Sequence, residues 1–183
     1  VYKGKNFGVN LISGELKLGE LASGEMVTET RGVSQKFEDE NTITLLDSAA
    51  GIGCQVIASI SGADLAILIA EPTPASLGDL KRVHRVVEHF RIPSVIVINK
   101  YDINPKFKGI EEYANKVKVD IISRIPYSSE VPKSLAMMRP IIEAFPDGIV
   151  AKHIYDLWFK IRGIIKNWYS WREEFLKQHY NTG

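Results

Sequence analysis

Two short runs that are apolar without alternation, residues 65–70 (Leu-Ala-Ile-Leu-Ile-Ala) and 94–98 (Ser-Val-Ile-Val-Ile), restrict this chain more than any other feature. A strand with one face in water alternates apolar and polar residues, whereas a strand that is apolar throughout has both faces covered, as in a parallel sheet flanked by helices. The stretch between the two runs supports that geometry. Thr73 and Pro74 supply a cap and a first-turn proline, and Leu77, Leu80, Val83, Val87 and Phe90 then recur on one helical face, so the segment reads as a crossover helix. Residues 42–47 form another β-branched run, stopped by an aspartate and small residues, and read as a buried strand; residues 119–125 are a weaker candidate. Strand, loop, helix and strand repeated over 42–125 predict a parallel, right-handed α/β sheet.

Further helices are expected over about 109–117, over about 130–144 with a break before Pro140, and as one long helix from about 150 to 177. Residues 1–41 are glycine-rich and suit short strands and a loop, followed by a helix over about 24–37 that Ser23 caps, with Glu25 near its positive end. We expect residues 1–148 to form the C-terminal part of one α/β domain and residues 149–183 a C-terminal helical extension. Composition excludes several classes. With 45% hydrophobic and 25% charged residues the chain is ordinary globular material, and a formal charge of +1 gives no reason to expect nucleic acid as a partner. The single cysteine, Cys54, rules out an internal disulfide and reads as a small core residue. The four histidines are scattered without ligand spacing; His84 and His89 are expected to be packed or solvated, and the runs Lys81-Arg82 and Glu111-Glu112 to be helix surface. With no charged leader and no apolar run of roughly 18 residues, a cytoplasmic location is expected.

Two motifs carry chemistry. Asp47, followed by Ser48 and the small residues up to Gly53, has the design of the second motif of nucleoside triphosphatases: a carboxylate at a strand's carboxyl end faces a Mg²⁺ shell, and small residues let backbone amides approach a γ-phosphate. The plain alternative is an aspartate that ends a strand and caps a turn. Asn99-Lys100-Tyr101-Asp102 follows the 94–98 run, at the sheet edge where a base or ribose lies in open α/β folds. An asparagine there can donate to and accept from a purine edge, and Asn-Lys-x-Asp is literally the guanine-reading signature of GTPases; the plain alternative is again a turn.

Taken in order, Asp47 to Cys54, Gly62 to Val83, Val97 to Asp102 and Arg124 to Tyr127 resemble the MinD/ParA/Mrp group of P-loop ATPases. The likeness is greatest to its branch with an inserted ferredoxin domain, and covers roughly residues 8–145. It implies the three-layer parallel α/β sheet of that group, ATP and Mg²⁺ as ligands, and a nucleotide-driven dimer. Asp47 would hold Mg²⁺ through water, Gly51 would belong to the switch that touches the γ-phosphate, and Asn99 would read adenine, with Lys100 and Asp102 in the same loop. Pro126 and Tyr127 would line the base pocket.

The departures are equally specific. Ala49 and Ala50 stand where the group often has prolines, and Glu25 where the branch often has lysine. The glycine-rich phosphate loop is absent, Lys3-Gly4-Lys5-Asn6 lacking both the glycine run and the hydroxyl, and there is no Cys-x-x-Cys cluster to ligate an iron–sulfur centre. Both modules are therefore expected before Val1, or the phosphate loop on a partner subunit; an iron–sulfur cluster belongs here only if an upstream cysteine module exists. These residues alone should be catalytically inactive.

Two other functions compete. A GTPase is favoured by Asn99 to Asp102, but its switch needs Asp-x-x-Gly, and Ala50 occupies the glycine position. A non-catalytic scaffold would keep the α/β shell and interact through its last helix. There Ile154, Leu157, Trp158, Ile161, Ile164, Ile165, Trp168, Trp171 and Phe175 share a broad face, and residues 151–183 carry six basic against three acidic side chains. This face is expected to pack on the chain itself or a second subunit, with a membrane surface as the other option.

Overall fold

A computed structural model describes residues 2–6, 9–15, 23–48 and 51–180. The chain forms two compact units, Val1–Ala63 and Asp64–Gly183. In the first, β1 (Tyr2–Asn6) and β2 (Val9–Ser13) make an antiparallel ladder. Helix α1 (Ser23–Ser34) runs into a short 3₁₀ turn, Gln35–Phe37, and packs on α2 (Cys54–Ile60). Arg31 joins the two helices: its Nη1 donates to the Ala58 carbonyl at 2.8 Å and also to the Ser61 carbonyl, satisfying acceptors that the end of α2 leaves open.

In the second unit, β3 (Ala66–Ala70), β4 (Ser94–Asn99) and β5 (Ile121–Ile125) form a parallel sheet in the order β3-β4-β5. The connections are α3 (Pro74–His89) and α4 (Gly109–Val117). Because the strand order advances in one direction, two right-handed crossovers put both helices on the same face. Helix α3 starts as its sequence requires: Thr73 is extended, and its hydroxyl accepts the Ser76 N–H at 3.2 Å while Pro74 fills the first turn. Leu80, His84 and Val87 are its buried stripe. Every residue of 94–98 is buried, so both faces of β4 are covered, and Ile96 and Val97 lose all solvent contact. The α/β class and the parallel sheet expected from the continuous apolar runs are thus present.

After the sheet come α5 (Glu130–Ala136), α6 (Ile141–Ala144), α7 (Ile149–Lys166), which packs on β5, and α8 (Trp168–Tyr180). The single helix expected over 150–177 is two. Asn167 separates them because its side-chain amide donates to the Gly163 carbonyl at 3.0 Å, competing for the acceptor that would continue α7. On α8 an aromatic ladder follows: Trp168 on Trp171 at 5.9 Å, Trp171 on Phe175 at 5.7 Å and Phe175 on His179 at 3.9 Å between ring centroids. The last turn is tied to the ends of both crossover helices, His179 Nε2 lying 3.1 Å from the Val117 carbonyl and the Tyr180 hydroxyl 3.4 Å from that of Glu88. Trp168 and Trp171 are half-buried and Phe175 is buried, while Trp158 and Phe159 on α7 stay exposed.

Two further expectations are corrected. Residues 42–47 are not a strand: Leu45 is 85% and Ile43 54% exposed. An isolated extended run has nowhere to place its backbone hydrogen bonds, and among the described residues none pairs with it. What fixes the start of the segment is a turn instead, in which Asp39 accepts the Asn41 N–H at 2.9 Å and the Thr42 hydroxyl at 2.8 Å. Those bonds, the Thr42 hydroxyl foremost, hold the Asp39 carboxyl below its ordinary range. Cys54 is also exposed rather than in the core, at the first residue of α2 and beside Gly24 of α1.

Candidate nucleotide-binding edge

In a parallel sheet the loops that leave the carboxyl ends of adjacent strands are neighbours, and here they are cross-linked. The loop after β4 makes most of the links. Lys100, in a left-handed conformation with φ +50°, extends its ammonium to Glu71 Oε1 at 2.7 Å, just past the end of β3. Asn104 donates from Nδ2 to the Pro72 carbonyl at 3.3 Å in the same β3 loop. Toward β5, the Tyr101 N–H donates to the Ile125 carbonyl at 3.1 Å, and Asp102 Oδ1 accepts the Tyr127 N–H at 2.7 Å. Three loops therefore hold one another, through side chains of the loop that sequence reasoning singled out.

The sheet register puts Asn99 directly beside Ile125, one residue before Pro126 and two before Tyr127. Asn99 is half-buried, and its carboxamide makes no hydrogen bond to a described residue. Pro126 is buried, whereas Tyr127 is 54% exposed. The candidate base-reading residues Asn99, Lys100, Asp102, Pro126 and Tyr127 are thus gathered at one edge, with their tasks divided. Lys100 and Asp102 brace the loops; Asn99 and the Tyr127 ring are left over. The bracing roles of Glu71 and Asn104 were missed from sequence; a glutamate directly after an apolar strand, two residues before a helix cap, was the available signal.

Asp47 and Gly51 belong to the first unit. The Asp47 carboxylate is exposed and makes no hydrogen bond or ion pair with a described residue. Gly51 has φ +102°, a conformation that only glycine adopts without strain, and it begins the bend leading into α2. Among the described residues no cluster of His, Cys, Asp and Glu could hold a metal ion by itself, and no helix is long and apolar enough to cross a membrane. The edge of the second unit thus offers an unbonded carboxamide and an exposed aromatic ring, and the first unit one exposed carboxylate.

Behind the edge, His84 on α3 is 1% exposed, and its Nδ1 lies 2.9 Å from the Tyr113 hydroxyl on α4. Burial holds the imidazole below its usual pKa against the opposing pull of Glu88, and burial pushes Tyr113 up. A neutral imidazole serves this contact in either tautomer, Nδ1 accepting from the tyrosine hydroxyl or donating to it.

No protein-family model matches the chain. Among proteins of Methanocaldococcus jannaschii, the uncharacterized protein MJ0579 is 34% identical over 133 residues, 72% of this chain and 44% of the relative. The uncharacterized protein MJ0578 is 30% identical over 158 residues, 86% of this chain and 52% of the relative. The uncharacterized ATP-binding protein MJ0547 is 24% identical over 132 residues, covering 72% and 50%. The chain spans about half the length of these curated relatives. Among solved structures, the septum site-determining protein MinD complexed with Mg-ADP from Pyrococcus horikoshii superposes with a TM-score of 0.64 at 16% identity, over 75% of this chain and 56% of that one. The cell division ATPase MinD of Pyrococcus furiosus gives 0.66 at 19% identity over 77% and 59%. The MinC:MinD cell division protein complex of Aquifex aeolicus gives 0.60 at 24% identity over 76% and 59%. At these identities the likeness is one of fold, and the chain accordingly carries the α/β fold of MinD-like P-loop ATPases over part of its length.

Proposed function

We propose that this chain is the base-binding and switch-bearing part of a cytosolic Mg²⁺-dependent ATPase of the MinD/Mrp type, acting as a nucleotide-driven dimer. The observation that carries the reading is Asn99, a half-buried carboxamide with no bond to a described residue, at the carboxyl edge of a parallel sheet beside Pro126 and Tyr127. One amide can donate to and accept from an adenine edge, and Tyr127 offers an exposed ring against which a base can stack. Ala50 speaks against a GTPase, because it stands at the glycine position of the Asp-x-x-Gly switch.

In this reading Asp47 holds Mg²⁺ through water, and Gly51 lets the switch backbone move toward or away from a γ-phosphate. Bound Mg²⁺ would neutralise charge on the phosphates. The phosphate loop lies outside these residues, in the remainder of a longer protein or on a partner subunit. Its strand would pair with the outer edge of β3, where Ile69 is 67% exposed and no described strand is hydrogen-bonded.

The test is displacement of a fluorescent ATP analogue from the complete protein. ATP should compete at least tenfold better than GTP, and Asn99→Ala should weaken ATP by about tenfold while the Mg²⁺ requirement persists, as expected for one lost charge-neutral contact of about 1.4 kcal/mol. Equal competition by GTP moves the reading to guanine. No nucleotide binding at all leaves the scaffold.

A further inference from the structure

The groove between α3 and α4 is lined by Leu77, Lys81, Arg85, Gly109, Tyr113 and Lys116, encloses about 490 Å³, and takes no part in the nucleotide reading. Its floor is narrow because the helices approach closely at Gly109: a Cβ there would lie 2.7 Å from the Phe107 ring and 2.9 Å from Leu77 Cδ2. The floor is also fixed, since the buried His84 holds the Tyr113 hydroxyl at 2.9 Å.

The groove gathers three cations against one carboxylate. Some exposed cations elsewhere have carboxylate partners, Arg82 with Asp79, Lys100 with Glu71, Lys160 with Asp156 and Lys177 with Glu173, while others, Lys133 and Lys152 among them, form no ion pair with a described residue and do not line the groove. Lys81, Arg85 and Lys116 are exposed, converge on one groove, and form no ion pair with a described residue. The first two are nevertheless oriented. Lys81 Nζ lies 5.6 Å from the centre of the Tyr113 ring, and Arg85 Nε donates to the Lys81 carbonyl at 3.3 Å. Glu112 is the one carboxylate on the lining.

We propose that this groove docks an acidic, extended segment of a partner protein. Lys81 and Arg85 are one helical turn apart, about 6 Å along the axis, which matches the roughly 6.6 Å between alternate side chains of an extended peptide. Two acidic residues separated by one residue can therefore meet both cations, the intervening side chain pointing away from the groove and Lys116 taking a third charge. A nucleic-acid backbone fits worse. Its evenly spaced phosphates would run onto Glu112, and the whole chain carries a charge of only +1, too little to draw a polyanion.

The experiment is fluorescence anisotropy of a labelled Gly-Asp-Leu-Asp-Leu-Glu-Gly peptide, with its Asn/Gln counterpart as control, against the complete protein in the absence of nucleotide. The acidic peptide should bind at least tenfold more tightly than the amide one. Lys81→Glu combined with Arg85→Glu should remove that preference, while Lys133→Glu, an exposed residue of α5, should change it less than twofold, all variants giving unaltered far-UV circular dichroism. No binding of the acidic peptide below about 1 mM overturns the proposal, as does an equal loss on Lys133→Glu, which would mark general attraction. A double variant that keeps the peptide but releases a single-stranded oligonucleotide or phosphatidylglycerol vesicles also overturns it, in favour of those surfaces.

Discussion

The loop after β4 and the segment around Asp47 both present an aspartate-bearing motif after an apolar run, and they differ in what holds them. Residues 94–98 are in a ladder between two strands and fully buried, and the loop that follows is fastened on both sides by Lys100–Glu71, Asn104–Pro72 and Asp102–Tyr127 contacts. Residues 42–47 have the same β-branched character and no ladder, so Ile43 and Leu45 face water and Asp47 has no described partner. Strand propensity is a fit to a pleated, half-covered surface rather than a backbone preference of its own, so the same pattern gives opposite outcomes with and without a neighbour.

The contrast is measurable as stability. Ile96→Ala, at a position with 0% exposure, should lower the unfolding free energy of the complete protein by about 2–5 kcal/mol in urea titrations. Leu45→Ala, at 85% exposure, should change it by less than about 0.5 kcal/mol. A large loss at Leu45 would break the comparison and mean that the complete protein supplies the missing strand; equal, small losses would mean that the sheet is not the core.

A smaller effect sharpens the second unit alone. His84 has its pKa lowered from 6.5 mainly by burial, with Glu88 pulling up and His179 pushing down, and with the Tyr113 hydroxyl on Nδ1. Its neutral form is favoured in the folded state, so its full contribution is present above pH 6.5. Below that the unfolded chain binds a proton that the buried ring refuses, and stability falls as pH drops toward the folded-state pKa, at no more than about 1.4 kcal/mol per pH unit. Urea midpoints between pH 7.5 and 5 should show this slope, and His84→Gln should flatten it. The smallest effect lies in the first unit. Cys54→Ser should shift stability by less than about 0.5 kcal/mol, and iodoacetamide should alkylate Cys54 in the folded protein at nearly the rate seen in urea.

Much of the second unit was legible from local chemistry. Thr73-Pro74 announces α3, the apolar period places its buried face, and the continuous runs give β3 and β4, because in each case the deciding partner is a few residues away or on the covering helix. Asn99 to Asp102 could be located as an edge motif, but not divided into bracing and free groups, since that depends on Glu71 and Tyr127 arriving from other loops. Segment 42–47 and Cys54 were misread for the same reason: their burial depends on neighbours that no local pattern specifies. The single helix expected over 150–177 failed for the opposite reason, since the Asn167 side chain, bonding back to its own helix, outweighed a long amphipathic period.

The ladder on α8 has an optical consequence. Trp168 and Trp171 stack at 5.9 Å with 29° between their planes, close enough for their electronic transitions to couple, and Phe175 and His179 continue the column to the turn that is tied to Val117 and Glu88. The helix thus carries its own chromophore pair, and near-ultraviolet circular dichroism reports without any label whether the end of the chain remains seated on the crossover helices.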